Sequence, residues 1–433
     1  MQGIDCLTIP KFKMDHNENE RSARLKSIRF LIGRSVRLRV CTFVLLLCSL
    51  NNFAQIGYCK LRISLLTCGP GQDLYSLFGH SAFRVTDSSA NMDVVFNYGT
   101  MDFDDPSFYL KFTKGQMLYF LSVSSFQDFM SEYRVTQRDV TEQVLDLDCD
   151  DKEKLFAVLR ENAKEENKYY NYEFLFNNCS TKLRDMLADS SGSRPRFKNI
   201  LPAQHPSFRN MIHEYLNKGQ QYWSKFGIDL LLGANIDKSV TNEQAMFLPD
   251  YLMKGFDSAA VSLDRHDSGE TSVVKEKKII YKATPPPNDV VWFTPFVVFS
   301  ILLVAGLGLS FSRSTLATKI LLVLDTTMFL FTGLLGILIA SLWAFRQDTV
   351  CRNNFNLLWA LPTHTIIVFF LRSKKPWVTK YMLVTAAIGA LLLLSWLWLP
   401  QELNVSFIPI ILFLIFRSLF IAKKNRYGKT VGV

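Results

Sequence analysis

Cys179 ends a run in which aromatics and amides crowd together, Tyr169-Tyr170-Asn171-Tyr172-Glu173-Phe174-Leu175-Phe176-Asn177-Asn178, and Ser180–Leu187 after it has helical spacing. The thiol therefore falls at or near a helix N-terminus, where unpaired backbone N–H groups and the helix dipole favour negative charge. A thiolate in such a place has a lowered pKa and is the reactive form. Cysteine catalysis also needs a base, a group that orients the base, and donors for an oxyanion. Among the six histidines the best base is His80, which opens a strand-like segment between Gly79 and Ser81. Asn97, on the adjoining predicted strand, can orient its imidazole, and the helix N-terminal amides can serve the oxyanion. Singly, a cysteine is more often a small buried hydrophobe and a histidine a structural residue. The amide-rich approach, the helix start and the glycine-flanked histidine together favour chemistry.

The remaining histidines compete poorly. His205 and His213, in HPSFRNMIHEY, read as surface residues, His266 falls in a linker and His364 in an apolar stretch. The eight cysteines show no CxxC spacing, and no group of ligands has metal spacing, so neither a metal nor a cofactor is expected. Cys68 and Cys149 can pair in an oxidising compartment.

The elements around these residues follow from period and punctuation. Residues 61–66 alternate as a first strand, Cys68-Gly69-Pro70-Gly71 breaks the chain, and Gln72–Phe78 reads as a short helix. Residues 80–85 and 94–99 form a predicted hairpin across Asp87-Ser88-Ser89. Residues 118–123 and 143–147 are further strands. Residues 126–135 and 151–166 read as helices, the second with Asp150 and Asp151 available as caps.

Hydropathy divides the chain. Residues 40–50, VCTFVLLLCSL, follow Arg34, Arg37 and Arg39 and have signal-peptide length, with Asn52-Phe53-Ala54 as a cleavage region; an uncleaved anchor is the alternative. Five apolar stretches, 292–311, 320–344, 355–371, 381–399 and 404–422, approach the ~20 residues that cross a bilayer. The third is the shortest and holds Pro362 and His364. Lysines and arginines cluster after the first, third and fifth stretches, which by the positive-inside rule leaves residues 57–263 outside the cytoplasmic membrane. The expected order is a leader with signal or anchor (1–56), an exported domain (57–263), a linker (264–290), a transmembrane domain (291–423) and a cytoplasmic tail (424–433). The formal charge of +10 fits this topology better than a nucleic-acid groove, because much of it lies in the first 40 residues, the loops between spans and the tail. Asp325 and Arg417 fall inside spans and read as a pair between helices. Arg352-Asn353-Asn354-Phe355-Asn356-Leu357-Leu358-Trp359 starts at the outer face, where it can handle substrate or anchor the interface through Trp359.

Several motifs together resemble one family. Cys68-Gly69-Pro70-Gly71, Phe78-Gly79-His80-Ser81, Asn97-Tyr98-Gly99 and Asn177-Asn178-Cys179-Ser180-Thr181-Lys182-Leu183-Arg184-Asp185 resemble the periplasmic domain of the Lnb lipoprotein N-acyltransferases of Bacteroidota. Asn354, Asn356, Leu357, Leu358, Trp359 and Pro362 are similar to that family's polar–aromatic membrane motif, so the resemblance runs from about residue 60 to 420. It implies an α+β, permuted papain-like (NlpC-type) periplasmic domain, in which His precedes Cys, followed by a helical bundle of about five spans in the inner membrane. It further implies that Cys179 carries an acyl chain as a thioester and passes it to the α-amino group of a diacylated lipoprotein's N-terminal cysteine. A membrane phospholipid is the preferred donor; an intramolecular transacylase and a membrane-anchored NlpC-type peptidase or amidase are the alternatives. Gly79, Ser81, Tyr98, Tyr172, Asn178, Ser180, Arg184, Asn354, Asn356 and Trp359 are expected to bind substrate or support the site.

Overall fold

The computed structural model describes residues 59–427 apart from 102–110, 112–113, 193, 265–266 and 285–289, so the leader and signal segment and the end of the tail lie outside the described residues.

The first strands form where polar and apolar residues alternate. β1 (Leu61–Cys68), β2 (His80–Asp87), β3 (Met92–Met101) and β4 (Met117–Ser125) are followed by helix α1 (Phe126–Val135) and β5 (Val140–Leu145). Helix α2 (Cys149–Asn162), β6 (Tyr169–Tyr172) and helix α3 (Cys179–Ser190) complete the part that carries the thiol. Together with a later strand, β9 (Val274–Tyr281), these strands make one antiparallel sheet in the order β6-β4-β3-β2-β1-β5-β9. Successive side chains on a strand point to opposite faces, and both faces of this sheet are covered. Leu66, Cys68, Ala82 and Val95 pack on Phe129, Met130 and Tyr133 of α1. Ile63, Leu65, Phe83 and Phe96 pack on Leu155 and Leu159 of α2 and on Leu183 and Leu187 of α3.

Local chemistry sets the helix starts. The cap of α2 is Asp148, whose carboxylate accepts from Asp151 N, so Asp150 and Asp151 sit in the first turn instead of capping it. There they still complement the dipole. Gln72–Phe78 forms turns, tied by Gly71 N to Ser76 O at 2.9 Å, rather than a helix. A helical lobe follows: α4 (Phe208–Lys218), α5 (Tyr222–Leu231) and α6 (Pro249–Ser258), packed around Met211, Ile212, Leu216, Phe247 and Leu248.

Residues 264–290 are not the simple linker expected. β7 (Ala260–Asp264) and β8 (Asp267–Ser272) form a hairpin, and β9 (Val274–Tyr281) pairs with β5 at the edge of the main sheet. Its lysines hid it from the pattern: Lys277 meets Asp257 at 2.5 Å and Lys278 meets Glu142 at 3.2 Å. Charged side chains protect an exposed edge from further pairing.

The C-terminal part is helical: α7 (Pro295–Phe311), α8 (Thr315–Phe345), α9 (Pro376–Leu394) and α10 (Phe407–Tyr427). By length and composition α8 and α9 can each cross a membrane, and α7 is a shorter apolar helix. The third apolar stretch does not form one helix. It breaks into Phe355–Leu358, His364–Ile367 and Val368–Phe370. Its backbone lies so close to α8 that a Cβ on Gly336 would stand 2.0 Å from Ala360 O. Only glycine admits that approach. The expected pair between spans is present: Arg417 donates twice to Asp325 at 2.6 Å and once to Ser310 Oγ at 2.6 Å.

Candidate active site

Asn178 builds the start of α3. Its Oδ1 accepts from Thr181 N at 2.9 Å, Thr181 Oγ1 accepts from Asn178 N at 2.8 Å, and Asn178 Nδ2 donates to Phe174 O (2.7 Å) and Phe247 O (2.8 Å). The amide that precedes Cys179 thus clamps two loops and caps the helix. Cys179 is the first helical residue, and its N–H and that of Ser180 have no acceptor within the helix.

β2 brings His80 to the thiol. His80 stands opposite Cys68 at the end of the β1–β2 ladder, after Gly79, whose φ of +79° and close approach to Cys68 O require a residue without Cβ. On β3 the register slips between Tyr98 and Thr100, leaving Gly99 at φ +94°. A Cβ there would lie 3.7 Å from Cys179 Cβ and 3.9 Å from His80 Cε1, so the bulge makes room for the pair. The same bend brings Asn97 Oδ1 to 2.5 Å from His80 Nε2. With Nε2 donating to Asn97, Nδ1 is the nitrogen left for the Cys179 hydrogen bond.

The electrostatics separate this thiol from the others. Burial pushes the Cys179 thiol up, but His80's charge and hydrogen bond, the Ser81 N–H and the Ser180 hydroxyl outweigh it and hold the pKa down at about 7. Burial also works against the His80 imidazolium, yet Cys179 and Asn97 raise its pKa above 6.5. By contrast, burial carries Cys68 up to about 12 and Cys351 up to about 11. Among the described residues these three are the free cysteines, so one thiolate stands out at neutral pH.

Cys179, His80, Asn97, Gly79, Tyr172 and Asn178 line one cavity of about 690 Å³. Ser81 and Ser180 lie behind the thiol with their hydroxyls 3.2 Å apart. The other expected residues are elsewhere. Tyr98 is in the core, donating to Met186 Sδ and accepting from Asn162 Nδ2. Arg184 pairs with its neighbour Asp185 within α3 and donates to Glu243 O outside it. Asn354 Nδ2 donates to Leu230 O (2.8 Å), Asn356 Nδ2 to Asp229 O (2.9 Å), and Trp359 Nε1 to Asn356 Oδ1 (3.0 Å). None of these last three lines the thiol cavity; they hold α5 against the membrane domain.

Sequence reasoning passed over Gly99, whose place inside Asn97-Tyr98-Gly99 was the available sign. It also passed over Tyr170, whose hydroxyl lies 3.9 Å from a Cβ built on Gly99 and whose pKa is raised, first by burial and then by the Cys179 charge. That phenol stays protonated. His213 is buried rather than at the surface, with Nε2 2.7 Å from Asp229 Oδ1, while Arg209 donates to the same oxygen at 2.8 Å. Cys68 is not a disulfide partner of Cys149: Cys68 is free, and among the described residues the disulfide-bonded cysteines are Cys149 and Cys59.

A periplasmic-type mixed domain bearing a Cys–His–Asn constellation, followed by a helical membrane domain, defines the class of protein. Residues 51–213 match the Lnb N-terminal periplasmic domain and residues 287–427 match the Lnb transmembrane domain. The chain belongs to the Lnb family, and it is a membrane-anchored protein with a periplasmic domain. No curated protein and no solved structure matches it.

Proposed function

We propose that this protein is a lipoprotein N-acyltransferase of the inner membrane, with Cys179 as nucleophile, His80 as acid and base, and Asn97 as the residue that orients His80. The observation that carries the reading is the low-pKa thiol on its imidazole, in a cavity that shares lining residues with a space reaching Leu342 of the membrane domain in an Lnb-family chain. The chemistry balances. The thiolate attacks a phospholipid ester carbonyl, and the Cys179 and Ser180 N–H groups receive the oxyanion. Collapse breaks the C–O bond, and the leaving lysophospholipid alkoxide takes the Nδ1 proton of His80. The lipoprotein's neutral α-amine then attacks the thioester, His80 removes the surplus proton from nitrogen, and the C–S bond breaks to return the thiolate. Asn97 keeps Nδ1 facing sulfur throughout.

Incubation of the protein with a diacylated lipoprotein and phospholipid labelled in one acyl chain tests this. The expected product is label in amide linkage at the lipoprotein N-terminus. An unlabelled product that still carries two acyl chains, one of them now in amide linkage, would instead indicate a chain moved within the lipoprotein, and hydrolysed peptide or cell-wall amide with no acyl transfer would sink the reading in favour of a peptidase or amidase.

A further inference from the structure

Beside the thiol cavity lies a second, more apolar space of about 290 Å³. The two share a wall of Leu74, Phe78, Tyr119, Tyr172 and Phe174. Aromatic rings line the junction between them: Tyr119 and Tyr172 stack with centroids 4.1 Å apart, and Phe78 meets Phe174 at 4.9 Å. Beyond it the space continues between Ile228, Leu231 and Leu232 at the end of α5 and Leu342 in the last turn of α8 with Val350 and Cys351 in the loop after it. Leu342 belongs to the last turn of a helix long and apolar enough to span a bilayer. Around it Leu338, Trp343 and Phe345 are exposed, an apolar helix surface suited to lipid. The polar part of the lining is gathered in Glu173 and the ion-paired Arg346 and Asp348. One end of the slot therefore reaches the nucleophile's cavity and the other reaches the membrane helix.

We propose that this slot holds the hydrocarbon tail of the acyl group carried on Cys179, and that Val350 and Leu231 help set the length of tail it accepts. A single fatty chain is the occupant the shape and chemistry favour: the walls are aliphatic and aromatic, and the space adjoins the cavity that holds the thiol that would bear the carbonyl. Burial of each methylene is worth ~0.8 kcal/mol, so tail length is legible to such a slot. The inference rests on the thioester step of the proposed function but not on transfer to a lipoprotein.

The full-length protein in detergent, treated with p-nitrophenyl esters, gives a burst of p-nitrophenol as Cys179 is acylated. The ratio of acylation rates for palmitate and butyrate esters is the readout. Val350→Trp, which fills the slot, should lower that ratio by about tenfold or more. Leu231→Ala only removes atoms and should move the preferred chain length upward, so it carries the test if the tryptophan variant loses its fold. Ratios within about twofold of wild type in every variant that retains Cys179 alkylation would overturn the slot, since such a change is below one methylene's worth. A shifted ratio in a protein that transfers no label to lipoprotein would keep the slot and remove the transferase reading. Normal lipoprotein transfer with unmoved ratios would do the reverse.

Discussion

Two amide-rich segments, Asn177-Asn178 and Asn353-Asn354-Phe355-Asn356, look alike in sequence and do different work. Asn178 caps the helix that presents Cys179 and bonds the carbonyls of Phe174 and Phe247, so its amide shapes the thiol cavity. Asn354 and Asn356 bond the carbonyls of residues 229–231 at the end of α5, and Gln401 adds Leu232 O. A helix end leaves carbonyls without intrahelical partners, and the membrane domain supplies them. The first segment shapes the setting of the Cys179 thiol; the second attaches the periplasmic domain to its anchor. An amide's composition announces a demand for hydrogen bonds without saying whose.

The largest expected contrast is between removing the thiol pair and removing the attachment. Cys179→Ala and His80→Ala should each lower acyl transfer by about 10³-fold or more while the melting temperature stays near wild type. Iodoacetamide alkylation sharpens the point. The wild-type rate should rise with pH through a midpoint near 7, because Cys179 ionises there rather than at 9.0. In His80→Gln burial is left unopposed by the imidazolium, so the midpoint should move above 9.0. The acylation rate itself should be bell-shaped: the low-pH limb follows loss of thiolate, and the high-pH limb loss of the proton that His80, with its raised pKa, gives to the leaving group. A wild-type alkylation midpoint near 9 would break the comparison.

Asn356→Ala should act in the opposite way. Asn356 is fully buried and serves two carbonyls and the Trp359 indole. Its loss strands buried partners and should cost ~2–4 kcal/mol of stability, seen as a lower unfolding temperature in detergent. Activity per folded molecule should change far less than in Cys179→Ala. If instead Asn356→Ala melts normally and loses its activity, the segment handles substrate after all.

Intermediate in size is Asn97→Ala, expected to slow acylation by about 10–100-fold through a misaligned imidazole, with alkylation still possible at raised pH. Full activity in this variant would remove Asn97 from the site.

Much of this was legible because it is local. The alternation of residues 61–66 and 80–85 marks two central strands, and the break before Ser180 marks the helix that starts at Cys179. The nearness of Asn97 to His80 was legible in strand order, since β2 and β3 are neighbours. What escaped depended on spatial partners. β9 joins the sheet despite a face of lysines, because an edge strand has solvent beside it. The third apolar stretch breaks, because residues 355–370 pack their backbone on glycines 333 and 336 of α8. His213 reads as a surface residue in its own helix, yet Asp229 on the next helix draws it inside. Cysteine pairing was equally invisible, since Cys68 lies in a sealed core with Tyr133 and Cys149 opens a helix at the edge.

The smallest expected effect tests how finely the thiol's surroundings are tuned. Ser180 Oγ lies 3.2 Å from Ser81 Oγ and 3.9 Å from Cys179 Sγ, and its contribution to lowering the thiol pKa is last among the favourable ones, after His80 and the Ser81 N–H. Ser180→Ala should therefore raise the alkylation midpoint only slightly, in contrast to the shift in His80→Gln. It also leaves a buried Ser81 hydroxyl without this partner, at ~1 kcal/mol of stability. Removing both hydroxyls in Ser81→Ala with Ser180→Ala should cost less than the sum of the two single changes, because no buried group is then stranded. The Ser81 N–H is untouched by either change, so the thiolate should persist at neutral pH in the double variant. A midpoint that climbs there as far as in His80→Gln would mean that the hydroxyl pair, and not the imidazolium, holds the Cys179 thiolate.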